Sequence, residues 1–176
     1  MSEYTNVEHP FLEKLREIGW QVIDKGCGGI PQDPAESMRT SFSEVVLKEE
    51  LFKKLGELNP WITAEQKEYC YHKITDIDKP LTDANREIHN MLLEGIHLLT
   101  KNEQTGEDNP TAKIINFDKY KKNSFIAINQ FRVDTNNTTP FIIPDIVCFV
   151  NGLPLIVVEC KDENVSEPMS EAYDQI

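Results

Sequence analysis

The chain lacks long apolar runs. No stretch approaches the roughly 18 consecutive apolar residues that a membrane-spanning helix needs, so no membrane contact is expected. The N-terminus, MSEYTNVEHP, carries no basic region followed by an apolar one, which excludes an ordinary secretory signal. Positive charge is also scarce. Against 30 Asp and Glu there are 18 Lys and Arg, a net charge of −12. Such a chain is repelled by polyanions unless cations gather locally or a metal ion intervenes, and the simplest use of the acidity is solubility. Cysteine is sparse: the 4 residues, Cys27, Cys70, Cys148 and Cys160, form no C-x-x-C pair and fit neither a zinc site nor a disulfide framework. Cys148 and Cys160 lie in apolar runs, where a thiol behaves as a small hydrophobe, and reduced thiols in the cytoplasm are the expectation. His9, His72, His89 and His97 show no ligand spacing and read as surface or core residues. A G-x-x-x-x-G-K-[ST] loop is missing, so nucleotide chemistry is not expected in this chain. Repeats and low-complexity tracts are missing too.

What is present is an ordinary globular composition. At 176 residues, 39% hydrophobic and 27% charged, the chain can bury one core. A single domain over 1–176 is expected, mainly helical to about residue 94 and built on a sheet from about 95 to 176. Phe11, Leu12, Leu15 and Ile18 recur at helical spacing, with the start near Val7 to His9 set by Pro10. WQVI reads as a short strand and DKGCGGIPQDP as a loop. An amphipathic helix is expected over residues 43–58. A second should follow Thr63 as N-cap, and a third should be capped by Thr82, with Ile88, Met91 and Leu92 inward and Gly95 at its end. Then come the strand candidates IHLLTK, AKIINFD, SFIAINQFRV, FIIPDIVCFV and LPLIVVECK. SEPMSEAYDQI begins another helix, and the chain stops inside it. The order is that of an α+β or mixed α/β protein with a mainly antiparallel, central sheet.

Charge is misplaced in the last two strands. Asp145 interrupts one apolar run, and Glu159, Cys160 and Lys161 end the next. Near-continuous apolar runs imply burial on both faces, where a lone carboxylate costs several kcal/mol. Either the charges pair with one another as a buried salt bridge or they hold a metal ion. Glu159 and Lys161 share a face because strand side chains alternate, and Cys160 points away. Asn151-Gly152 is a strong hairpin signal. A strict two-residue turn pairs residue 150 with 153 and leaves Asp145 on the wrong face. A three-residue turn with Gly152 in a left-handed bulge position, or one bulge in the strands, brings Asp145 onto the face of Glu159. An odd register or a bulge is therefore predicted. Convergent carboxylates without histidine or thiolate suit Mg²⁺ or Mn²⁺, and a lysine beside them suits metal-assisted phosphodiester hydrolysis.

Pro144-Asp145 followed by Glu159-Cys160-Lys161 resembles the PD-(D/E)XK nuclease signature. INQFRV, PDIVCFVNGLPLIVVECK, RTSFSEVVLKEELFKKLGELNP and NREIHNMLLEGIHL, in their order, resemble the N-terminal nuclease domain of the restriction (R) subunit of type I restriction enzymes. The likeness covers nearly the whole chain. It implies a restriction-endonuclease-like fold. The implied activity is Mg²⁺-dependent, sequence-non-specific cleavage of double-stranded DNA. A downstream ATP-dependent translocase would drive it, with methylation and specificity subunits as partners. ATP would bind only elsewhere in a longer subunit, of which this chain reads as a piece. Matched by position, Asp145 and Glu159 resemble metal ligands, Lys161 the catalytic lysine, and the Cys160 carbonyl a further ligand. Gln175 matches a glutamine often found on the following helix, and Glu8 an acid on the first helix. Glu8 has a simpler reading too, as an acid favoured by a helix N-terminus. Lys119, Lys121 and Lys122 form a local basic cluster for DNA, or simply a solvated turn. The competing expectations are a non-catalytic interaction domain of the same fold and a repair or junction nuclease of the same superfamily.

Overall fold

The computed structural model describes residues 4–135 and 139–161. In chain order its elements are α1 His9–Glu17, β1 Gln21–Ile23, α2 Lys48–Leu58, α3 Ala64–Thr75, α4 Leu81–Glu94, β2 Ile96–His97, β3 Thr111–Ala112, β4 Phe125–Asn129, β5 Val133–Asp134, β6 Phe141–Ile142, β7 Ile146–Val150 and β8 Leu153–Val158. The expected helix over SEPMSEAYDQI, with Gln175, lies outside the described residues. The class is mixed α/β with a mixed sheet, as the order of patterns suggested. The chain divides into two compact units that interleave in sequence: Met1–Leu47 with Phe125–Ile176, and Lys48–Ser124. The division does not follow the change of pattern near residue 94, because strand β1 joins the later sheet rather than the helices that follow it.

In the first unit a four-stranded sheet runs β1-β4-β7-β8. Strand β1 is parallel to β4, while β4, β7 and β8 are antiparallel neighbours. Alternation sends Ala127, Ile146 and Cys148 to one face, where Leu12 and Leu15 of α1 pack with Cys160. Ile126, Ile128, Val147 and Phe149 face the other way, onto Leu47 and Phe131. Burying each large apolar side chain contributes about 1.5–3 kcal/mol, so these two clusters anchor β4 and β7 from both sides. Of the expected α1 stripe, Leu12 and Leu15 are buried, while Phe11 and Ile18 are exposed. The expected burial of β8 on both faces does not occur among the described residues. It ends the strand order, and Leu155, Ile156 and Val157 are 39%, 51% and 50% exposed. The FIIPDIVCFV run is two strands, not one. β6 pairs with β5 in a separate ladder, and Pro144-Asp145 falls in the break before β7.

The second unit holds α2, α3, α4 and the small β2-β3 ladder. Leu51, Leu55, Cys70, Leu98, Ala112 and Ile114 are buried in it. Buried Asn59 closes α2, its carboxamide donating to the Lys113 carbonyl and accepting from the Lys113 N–H, both at 2.8 Å. Thr63 caps α3 as expected, in a reciprocal capping box with Gln66. Other boundaries differ. Helix α2 starts at Lys48, not Ser43. Glu44 accepts hydrogen bonds from the Thr40 N–H and hydroxyl, and the Leu47 N–H donates to the Gly152 carbonyl, so residues 43–47 are held out of the helix. Helix α4 begins at Leu81 after extended Pro80, which leaves Thr82 inside its first turn. None of its residues, Ile88, Met91 and Leu92 included, is fully buried. Gly95 does end it, at φ +87°, and a Cβ there would meet the Ala112 carbonyl oxygen at 2.6 Å. AKIINFD is strand only at its start. The Asn116 and Asn123 side chains bond neighbouring backbone groups and turn the chain instead.

Candidate active site

The hairpin of β7 and β8 builds the site. Asn151 and Gly152 have φ +53° and +83°, the conformation of a type I′ turn, in which Gly and Asn are the favoured residues. Val150 pairs with Leu153 and Phe149 with Pro154, as a two-residue turn requires. Between Cys148 and Phe149 the register then shifts, so that Cys148 pairs with Ile156, Val147 with Val157 and Ile146 with Val158. The predicted bulge is therefore present, but in the strand and not in the turn. Leu155 is the extra residue, and Pro154 beside it has no N–H to give the ladder, which is where bulges are tolerated.

That one residue decides the chemistry. With the register shifted, the next position beyond Ile146 and Val158 sets Asp145 across from Glu159. The Cys160 N–H donates to Asp145 Oδ2 at 2.7 Å. Asp145, Val157, Glu159 and Lys161 line one hollow of about 450 Å³ with Ile142, Ile143 and Pro144. The Cys160 side chain points to the opposite face and is 4% exposed among the α1 contacts. Burial and the facing Asp145 carboxylate push the Glu159 carboxyl up to about 7, against the pull of Lys161. Both causes are ones that a cation seated between the carboxylates would relieve.

Whether Mg²⁺ or Mn²⁺ suits these residues is a question of donors. Two carboxylates with no thiolate or imidazole beside them form a hard oxygen set, and Mg²⁺ commonly uses one or two carboxylates and keeps several waters. Among the described residues no group of three or more His, Cys, Asp or Glu side chains is arranged to hold a metal ion. The fit is thus to an open pair, not to a closed cage.

Glu8 lies within reach of the Asp145 charge but does not line the hollow. It is 3% exposed at the end of the turn Tyr4–Glu8 that leads into α1. Burial raises its carboxyl, hydrogen bonds from Asn129 and Gln130 lower it, and the nearby Asp145 charge raises it further. The Asn129 amide donates to Glu8 Oε1 at 2.8 Å and lies 3.3 Å from Asp24 Oδ1. Tyr4 donates to Asp24 at 2.9 Å, and Gly26 N–H does so at the same distance. Asn129, Gln130 and Asp24 were not singled out from the sequence. Lys119, Lys121 and Lys122 are exposed at a 3₁₀ turn of the second unit, with the Lys121 ammonium 6.0 Å from the Tyr120 ring. A larger hollow of about 870 Å³ also belongs to the second unit. Four of its charges pair with one another, Lys79 with Glu87 at 2.5 Å and Arg86 with Asp83 at 3.3 Å. No helix of the described residues is long and apolar enough to cross a membrane.

Known proteins resemble this chain along its whole length. It is 29% identical over 171 residues to a Methanocaldococcus jannaschii protein named, provisionally, as the type I restriction enzyme MjaIXP endonuclease subunit, covering 96% of this chain and 16% of that protein. It is 27% identical over 176 residues to the type I restriction enzyme HindI endonuclease subunit of Haemophilus influenzae, covering 99% of this chain and 16% of that subunit. The chain thus spans about one sixth of the length of these relatives. Residues 1–176 match the family described as type I restriction enzyme R protein N terminus, and the chain belongs to that family.

Proposed function

We propose that this region is the DNA-cleaving module of a type I restriction enzyme R subunit, on a PD-(D/E)XK fold. The observation that carries the reading is the strand bulge that turns Asp145 toward Glu159 and Lys161 in one hollow. The substrate is double-stranded DNA, and the reaction is hydrolysis of a phosphodiester bond without sequence preference. A P–O bond to water forms, the P–O bond to the leaving sugar oxygen breaks, and the proton lost by the water is balanced by one gained at the leaving oxygen.

Asp145 and Glu159 would hold Mg²⁺, or Mn²⁺, with the Cys160 carbonyl as a further ligand and Glu8 close by. When bound, the ion supplies charge stabilisation and a more acidic water. Lys161 sets an ammonium next to the attacked phosphate, where negative charge builds up, or orients the attacking water. The hydrogen bond from Cys160 N–H fixes the Asp145 carboxylate against the end of β8. Gln175 lies outside the described residues and keeps its proposed role on the following helix. Lys119, Lys121 and Lys122 are the proposed phosphate contacts. ATP-driven translocation by other parts of the subunit, with methylation and specificity subunits in a cytoplasmic complex, would deliver DNA to an acidic module that attracts it poorly.

The test is cleavage by the assembled enzyme carrying Asp145→Ala or Lys161→Ala. Each should lose Mg²⁺-dependent double-strand cleavage by about 10³-fold or more, the scale of a lost transition-state contact, with ATP hydrolysis spared. Retained cleavage in either variant would reject the assigned roles.

A further inference from the structure

The hollow at the end of the β7–β8 hairpin has two kinds of wall. Asp145, Glu159 and Lys161 carry charge, and every other described residue that lines it is aliphatic. The aliphatic part comes from two separate ladders. Ile142 ends β6, while Val157 lies in β8 two positions before Glu159, on the same face of the strand. Both are large and β-branched, yet they stay 42% and 50% exposed. The hollow measures about 450 Å³. A phosphate group with a cation and its waters fills on the order of 200 Å³, at about 30 Å³ for each water-sized oxygen. The remaining space, beside Ile142, Ile143 and Val157, goes to whatever the phosphate is attached to. In a nucleic acid that is the sugar.

An aliphatic wall reads a sugar by what the sugar does not carry. Deoxyribose presents only carbon and hydrogen at C2′, and such a surface accepts these without polar cost. Ribose puts a hydroxyl there, a donor and an acceptor at once, next to the phosphate. Ile142, Ile143 and Val157 have no polar side-chain atom to give it, so a hydroxyl that loses its water against them stays unsatisfied. The charged wall does not serve it either. Asp145 already accepts the Cys160 N–H, and the remaining oxygens and the Lys161 ammonium are taken by the ion and the phosphate.

We propose that Ile142, Ile143 and Val157 form a sugar-reading wall, which makes the site select deoxyribose over ribose beside the attacked phosphate. This deepens the nuclease reading above and rests on it.

The assembled restriction enzyme, given duplex DNA in which a tract of one strand carries ribonucleotides, tests it. Breaks inside the tract are counted against breaks in the all-deoxy strand opposite, so that delivery of the DNA cancels. Cleavage within the tract should fall about 10–100-fold, the discrimination an apolar site achieves against one added hydroxyl. A matched tract of 2′-fluoro nucleotides, which keeps a ribose-like pucker without the hydroxyl, should be cut like DNA. Val157→Thr has nearly the same shape, suits a strand and offers the hydroxyl a partner. It should narrow the ratio about three- to tenfold, the worth of one hydrogen bond, and Ile142→Thr should act in the same direction. Equal cleavage of ribose and deoxyribose linkages by the unaltered enzyme overturns the wall. So does a ratio unmoved in both threonine variants, or rejection of the 2′-fluoro tract as strong as that of ribose. Each of these leaves the nuclease reading standing. Breaks in the all-deoxy strand that persist in Asp145→Ala would instead remove that reading, and the wall with it.

Discussion

Asp145 and Glu159 repel one another across the end of the hairpin, and that repulsion has a measurable consequence before any DNA is present. Burial and the Asp145 charge push the Glu159 carboxyl up to about 7, above its unfolded value of about 4.3. The folded state therefore binds the Glu159 proton more tightly than the unfolded chain does. The penalty is absent below about pH 4, grows as pH rises towards about 7, and is constant above. Glu159 is only partly buried, so solvent screening reduces the loss to about 1 kcal/mol. Metal-free protein should thus lose stability between about pH 4 and pH 7 at this residue and level off above. Asp145→Asn should reduce that slope, leaving the larger part that burial causes, and raise the melting temperature at pH 8 by about a degree or two, because the asparagine oxygen still accepts the Cys160 N–H. Mg²⁺ should flatten the slope in the unaltered protein and do nothing for the variant. Calorimetry across this range checks it, and a flat metal-free profile for the unaltered protein refutes it. Glu159 and Lys161 were legible as a pair because alternation along a strand follows from the backbone alone, and Asp145 joined them only through the bulge that its misplaced charge called for. Asn129 and Gln130 were not legible. A lone amide after an apolar run carries no spacing signal, and its partner Glu8 lies 121 positions earlier in the chain.

At the scale of the element, parity is what matters, and the hairpin allows parity to be separated from the bulge itself. Deleting Leu155 removes the extra residue yet leaves Cys148 opposite Ile156 and Asp145 opposite Glu159. Cleavage by the assembled enzyme should stay within about threefold of normal, since no side chain changes face. Deleting Val158 instead turns Glu159 and Lys161 toward Leu12 and Leu15 and brings Cys160 opposite Asp145. Cleavage should be abolished, and two charges forced into that cluster should lower stability by several kcal/mol. Equal cleavage by the two deletions would show that the register does not position the acids. The turn was readable from Asn151-Gly152, and the need for a bulge from the misplaced charge of Asp145. Its position was not, because Pro154 weakens the ladder without saying on which side the slip falls. The start of α2 was misread for a similar reason. Val46 and Leu47 fit the helical stripe, but Leu47 is drawn into the first unit's core and its N–H is given to Gly152. Periodicity cannot tell a stripe residue from one claimed by another element.

Across the whole molecule, charge and topology pull against the proposed activity and have to be reconciled with it. The interleaving of the units escaped the sequence because β1 is only Gln21–Ile23 and pairs in parallel with β4. A parallel partner needs a long crossover, here the entire second unit, and composition does not record which strand a short run will join. Net charge was plain from the start. At −12 the module should resist the phosphate backbone, whose neutralisation dominates affinity for duplex DNA. The exposed turn carrying Lys119, Lys121 and Lys122 is the local exception. If these lysines neutralise phosphates, each should contribute about 0.9 to the slope of log affinity against log salt. Replacing all three by alanine in the full-length subunit should then reduce that slope by about 2–3 and weaken binding alike on unrelated sequences. Folding should be spared, because the three side chains are exposed. A salt titration of DNA binding reads the slope directly. An unchanged slope would take the turn out of the DNA path and leave delivery of the substrate wholly to the rest of the subunit and its partners.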